Sequence, residues 1–390
     1  MEGYNKKVIM SYWTICRMKT TKKIYVKVSI IFLLGGILLF SSCEKEENQK
    51  IEANRKTLFM YLPWSSNLTN YFYNNISDLE KCITKIGLNN EKVIVFISTG
   101  STEAMMFEIV SSHGRCKREI LKKYKSPPFT TIDGITAILN DVKAFAPASV
   151  YTMIIGCHGM GWLPVYEMKV RSAPHMKMHW EYQGVPLTRY FGGLTAEYQT
   201  DIKSLASGIA NAGMKMEYIL FDDCYMSSIE VAYELKDVTK YLIGSTSEMM
   251  AYGMPYAAIG EYLLGNPDYQ SGCEEFYNFY STYEIMPCGT LAVTDCSELE
   301  NMAAIIKSIN SKYSFDKSLR GTIQRLDGYT PVIFYDFADY ITSLCNDPIL
   351  LNQFREQLNH LVPYKTHTKN FYTMAKGIIP INTFSGITTS

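Results

Sequence analysis

Neither sign of charge predominates in this chain of 390 residues: Lys and Arg total 38, and so do Asp and Glu. With no net field to gather phosphates, nucleic acid is not a partner the composition points to. The ten cysteines are thinly spread and contain no C-x-x-C pair, which removes a zinc ribbon and a thioredoxin-like site. A dense disulfide framework is not expected in a chain of this length, while export would allow a few bridges. Histidines number six, and no H-E-x-x-H occurs. His175 and His179 have the i, i+4 spacing, but they follow Pro174 and have no acid between them, so a metal-dependent hydrolase lacks a ligand set. No internal repeat or low-complexity tract is present. What remains is an ordinary globular balance, 47% hydrophobic and 19% charged, rich enough for a sizeable core.

There is one long apolar run, residues 25–40. Lys19, Lys22 and Lys23 precede it, and Ser41, Ser42 and Cys43 follow. That order is a secretory signal, and the run is near the short end for a bilayer span, so a transmembrane anchor is the weaker reading. Leu39-Phe40-Ser41-Ser42-Cys43 resembles a bacterial lipobox. In such proteins the cysteine becomes the new N-terminus and carries lipid that holds the protein to a membrane. Glu44-Lys45-Glu46-Glu47 resembles the acidic tether of Bacteroidota-type surface lipoproteins. The resemblance implies a cell-envelope location, lipid-anchored at the outer membrane and exposed at the surface. Met18 opens a compact signal and is the expected start. The expected layout is a signal region 1–43, a tether 44–54, a core 55–260 and a further α/β portion 261–390.

Beyond the tether, apolar runs alternate with helical patterns. Thr57 to Leu62, Lys92 to Ile97, Met105 to Val110, Ser149 to Ile155, Met216 to Phe221 and Lys240 to Gly244 read as strands. Ser77 to Ile86, Ile132 to Phe145, Asp201 to Ala212 and Ser227 to Leu235 read as helices. Further on, Thr290 to Thr294 and Val332 to Tyr335 read as strands and Leu299 to Ile309 as a helix. This alternation predicts a largely parallel sheet with helices on both faces. Ligands of such sheets bind beyond the carboxyl ends of the strands. His158 and Cys224 both stand just past strand ends. A thiol attacks as thiolate, and an imidazole far away in sequence but near in space can hold it so. The helix expected at Ser227 would add the pull of a helix N-terminus. Between the two residues runs an irregular stretch, Gly159 to Gly193, long for a plain connection.

Gly156-Cys157-His158-Gly159-Met160-Gly161-Trp162, Phe221-Asp222-Asp223-Cys224-Tyr225-Met226-Ser227, Gly244-Ser245-Thr246-Ser247-Glu248 and Gly253-Met254-Pro255-Tyr256 together resemble the clostripain family of caspase-like cysteine peptidases. The resemblance runs from about Arg55 onward. It implies a caspase-like α/β/α sandwich with His158 as general base and Cys224 as nucleophile. The backbone N–H groups of Gly159 and Cys224 would form the oxyanion hole. Asp222 would line the pocket that selects Arg or Lys before the cut, or else cap the following helix. Protein or peptide substrates are the implied partners. No cofactor is required, and the resemblance admits calcium. Lys169 and Arg171, in the stretch between the two motifs, are expected sites of self-cleavage. The chain departs from the family pattern at Asp223, where alanine is usual, at Cys157, and at Met254, where Trp is expected. A catalytically inactive surface lipoprotein that binds rather than cuts is the competing reading.

Overall fold

The computed structural model describes residues 54–163, 188–189 and 198–390. Its strands are β1 (Asn54–Leu62), β2 (Glu91–Gly100), β3 (Glu103–Ser112), β4 (Arg115–Lys125), β5 (Ala148–Ile155), β6 (Met216–Phe221), β7 (Thr239–Gly244), β8 (Thr290–Asp295) and β9 (Tyr364–His367). They form one sheet in the order β9-β8-β7-β6-β5-β1-β2-β3-β4. The five central strands, β7 to β2 in that order, are parallel, and the two pairs at the flanks are antiparallel. Residues Val93 to Ile97 of β2 and Met153 to Ile155 of β5 are buried throughout, as a parallel sheet covered on both faces requires.

The helices are α1 (Thr69–Ile86), α2 (Ile132–Phe145), α3 (Ile202–Asn211), α4 (Ile229–Leu235), α5 (Tyr256–Leu263), α6 (Tyr269–Ser281), α7 (Leu299–Asn310), α8 (Phe337–Leu344) and α9 (Pro348–Leu361). From β1 the chain crosses one way to β2 through α1. It later steps the other way, from β5 through α3 to β6 and through α4 to β7. Right-handed crossovers in opposite directions put α1 on one face of the sheet and α3 and α4 on the other. Accordingly α1 packs with α5, while α2 packs with α3 and α3 with α4. The strand order reverses between β1 and β5, which is where an open α/β sheet leaves a crevice beyond its carboxyl ends.

Two expectations are corrected. Residue 260 is not a boundary: it lies inside α5, and the same sheet is extended by β8, antiparallel to β7, and by β9, antiparallel to β8. Residues 53–390 form one compact unit. Val332 to Tyr335 is not a strand of the large sheet; only Tyr335–Asp336 is extended, paired with Thr388–Thr389. No helix among the described residues is long and apolar enough to cross a membrane. The signal region and Cys43 lie outside the described residues.

Candidate active site

Four loops leave the carboxyl ends of the neighbouring strands β1, β5, β6 and β7 and meet above them. The sheet ladder continues one residue past β5 and β6: Gly156 N–H donates to Tyr61 O at 3.1 Å, and Asp222 N–H to Ile155 O at 2.8 Å. Beyond that point the β5 and β6 loops interlock. Asp223 Oδ1 accepts the Cys157 N–H at 2.6 Å, and Asp223 Oδ2 accepts from Cys157 Sγ at 3.4 Å. Asp223 therefore braces the histidine loop. Gly159 backs onto Cys224, where an added Cβ would lie 2.2 Å from Cys224 O and 2.9 Å from Cys224 N. His158 is held between these two contacts and is fully buried. Its Nε2 lies 2.8 Å from Asn67 Oδ1, in the loop after β1. The two sequence-predicted residues are thus brought onto adjacent strand ends.

Cys224 is buried, with its sulfur on the loop that follows β7. Met249 N–H donates to Cys224 Sγ at 3.2 Å, and the Sγ reaches Met249 O at 3.8 Å. A thiolate accepts such an N–H better than a thiol does. The expected helix dipole is absent here, which is a correction. Helix α4 begins only at Ile229, because the Ser228 hydroxyl accepts the Val231 N–H and caps it there. Residues 225–227 instead bond to the β7 loop, Tyr225 N–H to Ser247 O at 3.0 Å and Ser227 N–H to Ser245 O at 2.9 Å. Tyr225 adopts φ +61°. That conformation costs an L-residue about 1–2 kcal/mol, so surrounding contacts must enforce it. They do so through the Tyr225 hydroxyl on Glu248 Oε1 at 2.8 Å and the ring stacked on Phe334 at 4.8 Å. Thr290 of β8 pins the same loop, its Oγ1 meeting Ser245 Oγ at 2.7 Å, the Thr246 N–H at 3.1 Å and Ser247 Oγ at 3.1 Å.

Asp222 is buried, and its carboxylate ties the nucleophile loop to the 253–256 segment. Oδ1 accepts the Met254 N–H at 2.8 Å and Oδ2 the Tyr256 hydroxyl at 2.9 Å. It does not cap α4. A rim is built by residues 327–334. The buried Asp327 carboxylate takes the N–H groups of Tyr329, Ile333 and Phe334 at 2.6–2.7 Å. Burial still pushes this carboxyl up to about 6. The rim leaves no room for a side chain at Gly161, where φ is +60° and an added Cβ would lie 2.8 Å from the Phe334 ring.

Burial pushes Cys82 and Cys288 up to about 11 and Cys273 and Cys296 to about 12, so they stay neutral. His113 sits in the β3–β4 turn, His360 in the last turn of α9 and His367 in β9. Lys169, Arg171, His175 and His179 lie outside the described residues. Among the described residues no three His, Cys, Asp or Glu side chains gather to hold a metal ion, so no residue is assigned to calcium. Asn67, Met249 and Thr290 escaped the sequence reading. Only the position of Asn67 just past β1 could have flagged it, and Met249 and Thr290 carry no chemical signature.

The clostripain family, peptidase C11, matches over residues 60–377. A secreted C11 cysteine protease from Bacteroides thetaiotaomicron, iotapain, is 59% identical with a TM-score of 0.80, and the match covers 87% of this chain and 93% of that one. A clostripain from the same species, in complex with the peptide inhibitor BTN-VLTK-AOMK, is 67% identical with a TM-score of 0.50, covering 51% of this chain and 89% of its own. An inactive zymogen C11 protease from Parabacteroides distasonis is 25% identical with a TM-score of 0.72, covering 85% and 90%. A comparison with curated proteins finds no match. On the family match and the iotapain likeness together, this chain belongs to the clostripain family of cysteine proteases, with the mixed α/β, mostly parallel sheet of that caspase-like group.

Proposed function

We propose that the chain is an endopeptidase cutting after Arg or Lys, with Cys224 as nucleophile and His158 as general base. The observation that carries this is the interlock of the two loops, Gly159 against the backbone of Cys224 and Asp223 on Cys157. His158 takes the thiol proton, and sulfur attacks the carbonyl carbon. The N–H groups of Gly159 and Cys224 stabilise the oxyanion. His158 then gives its proton to the leaving amine, and water hydrolyses the thioester with His158 again as base.

The substrate would lie extended along Met249–Met250. Thr188–Arg189 of the chain itself pairs antiparallel with those two residues, which supports this edge as one that accepts an extended peptide. Self-cleavage after Lys169 or Arg171 would free that segment, and the two products would stay together because β5 and β6 are hydrogen-bonded neighbours. The relative described as an inactive zymogen supports a precursor form. The preference for a basic residue rests on Asp222 and on the relative whose peptide inhibitor, VLTK, ends in lysine.

A fluorogenic panel with Arg, Lys, Asp and Leu before the cut tests the preference. Arg or Lys should exceed Asp and Leu by about 100-fold, since a hydrogen bond to a charged group is worth about 1.5–3 kcal/mol. Asp222→Ala should reduce turnover of basic substrates about 100-fold while slowing alkylation of Cys224 far less. Equal losses in the two assays would make Asp222 a brace for Met254 and Tyr256 alone. We further propose lipid at Cys43 as the anchor, with an envelope location. Cys43→Ser should move the protein out of the membrane fraction or block its processing, and a labelled-lipid assay finding no label on the parent protein would remove the anchor.

A further inference from the structure

We infer that Asn67 is a positioning residue for His158, its side-chain carbonyl holding the imidazole by Nε2 so that Nδ1 is the nitrogen that accepts the thiol proton. The inference rests on the reading of His158 as the base. An amide oxygen only accepts, so at 2.8 Å from Asn67 Oδ1 the Nε2 must carry hydrogen. In a neutral imidazole the lone pair is then on Nδ1. The proton accounting follows. Nδ1 takes hydrogen from Cys224 Sγ as the sulfur–carbon bond forms, and gives it to the leaving nitrogen as the carbon–nitrogen bond breaks. In hydrolysis Nδ1 takes a proton from water and returns it to sulfur as the sulfur–carbon bond breaks. Throughout, Nε2–H stays on Asn67, which keeps the ring from turning and stabilises the imidazolium by one hydrogen bond.

Asn67 is well placed for this task. It follows β1, the strand that pairs with β5 and so lies beside the strand bearing His158. Its backbone belongs to a short 3-10 turn, Ser66–Leu68, pinned on both sides. Ser65 and Leu68 are fully buried, the Ser65 hydroxyl donates to Pro63 O at 3.0 Å, and the Leu68 N–H donates to Ser65 O at 3.3 Å. Helix α1 starts at the next residue, and its Asn75 Nδ2 donates to Tyr252 O at 2.8 Å, joining this turn to the loop beside Met249. The Asn67 residue itself is exposed, so it adds little to the core, and a change there leaves packing alone.

Asn67→Ala should lower kcat/KM about tenfold, mostly in kcat, the loss expected of one hydrogen bond at this kind of site. Asn67→Asp keeps an acceptor and adds a negative charge, so activity should persist while the pH limb governed by His158 moves to higher pH. Both variants should melt with the parent protein. Wild-type kcat/KM in Asn67→Ala, or equal losses in both variants with no movement of the limb, overturns the inference. His158→Ala is measured alongside. If it still cleaves, the reading of His158 as base is lost. If it is inactive while Asn67→Ala matches wild type, only the role of Asn67 is lost.

Discussion

Cys224→Ala and His158→Ala should each reduce peptide hydrolysis by on the order of 10³-fold or more while leaving the melting transition near that of the parent. The losses should not add in the double variant, because the two groups act as a unit. Replacing Cys224 removes the sulfur that accepts the Met249 N–H, while the backbone bonds of Tyr225 to Ser247 and Ser227 to Ser245 remain. The same variant tests self-cleavage. Incubated side by side and weighed intact, wild type should become two associated chains cut after Lys169 or Arg171, and Cys224→Ala should stay whole. A wild type that is fully active and still one chain removes autoprocessing from the mechanism. Near wild-type turnover in Cys224→Ala would remove the nucleophile assignment, whereas a wild type that cuts no peptide would leave the binding-protein reading standing.

Gly159→Ala should be nearly as damaging, although it removes no chemical group. Its Cβ would stand 2.2 Å from one backbone atom of Cys224 and 2.9 Å from another, with Asp223 Cβ at 2.8 Å. No flexible side-chain tip can swing away from these contacts, so the two loops must part. Overpacking of this kind costs about 1–3 kcal/mol in stability. A displacement of about 1 Å at the reacting atoms costs on the order of 10²-fold in rate. Activity should therefore fall much further than the melting temperature. A Gly159→Ala protein with wild-type kcat/KM would mean that the loops do not touch as described.

The sequence carried the features that depend on local pattern. Runs such as Val93 to Ile97 and Tyr218 to Phe221 are apolar on both faces, which only a covered parallel strand tolerates, so the central sheet was readable. His158 and Cys224 were readable because each follows such a run. β4 was not: its exposed side chains, among them Lys117, Glu119 and Lys122, look like plain surface, and charge is how an edge strand avoids pairing with another sheet. The start of α4 was misjudged because Ser227 and Ser228 are equally good caps in sequence. Tertiary bonds decide between them, with Ser227 drawn to Ser245 and Gly386. Asn67 was invisible for a similar reason, since its meaning comes from a histidine 91 positions away. The braces on Asp222 and Thr290 are likewise long-range contacts that no local window contains.

The turn carrying Cys224 is finished from far downstream. Glu248, which holds the Tyr225 hydroxyl, also takes the N–H of Met374 at 3.0 Å. Ser227 O accepts the Thr388 N–H, and the Ser227 hydroxyl donates to Gly386 O. Residues 374–388 are made long after residue 224, so a ribosome-bound chain has its sulfur but not the frame that aims it. The order of synthesis thereby acts as a timer. The central strands β1, β2, β5, β6 and β7 can form early, yet the reactive geometry waits for nearly the whole described chain, so a chain still being made has no aimed nucleophile.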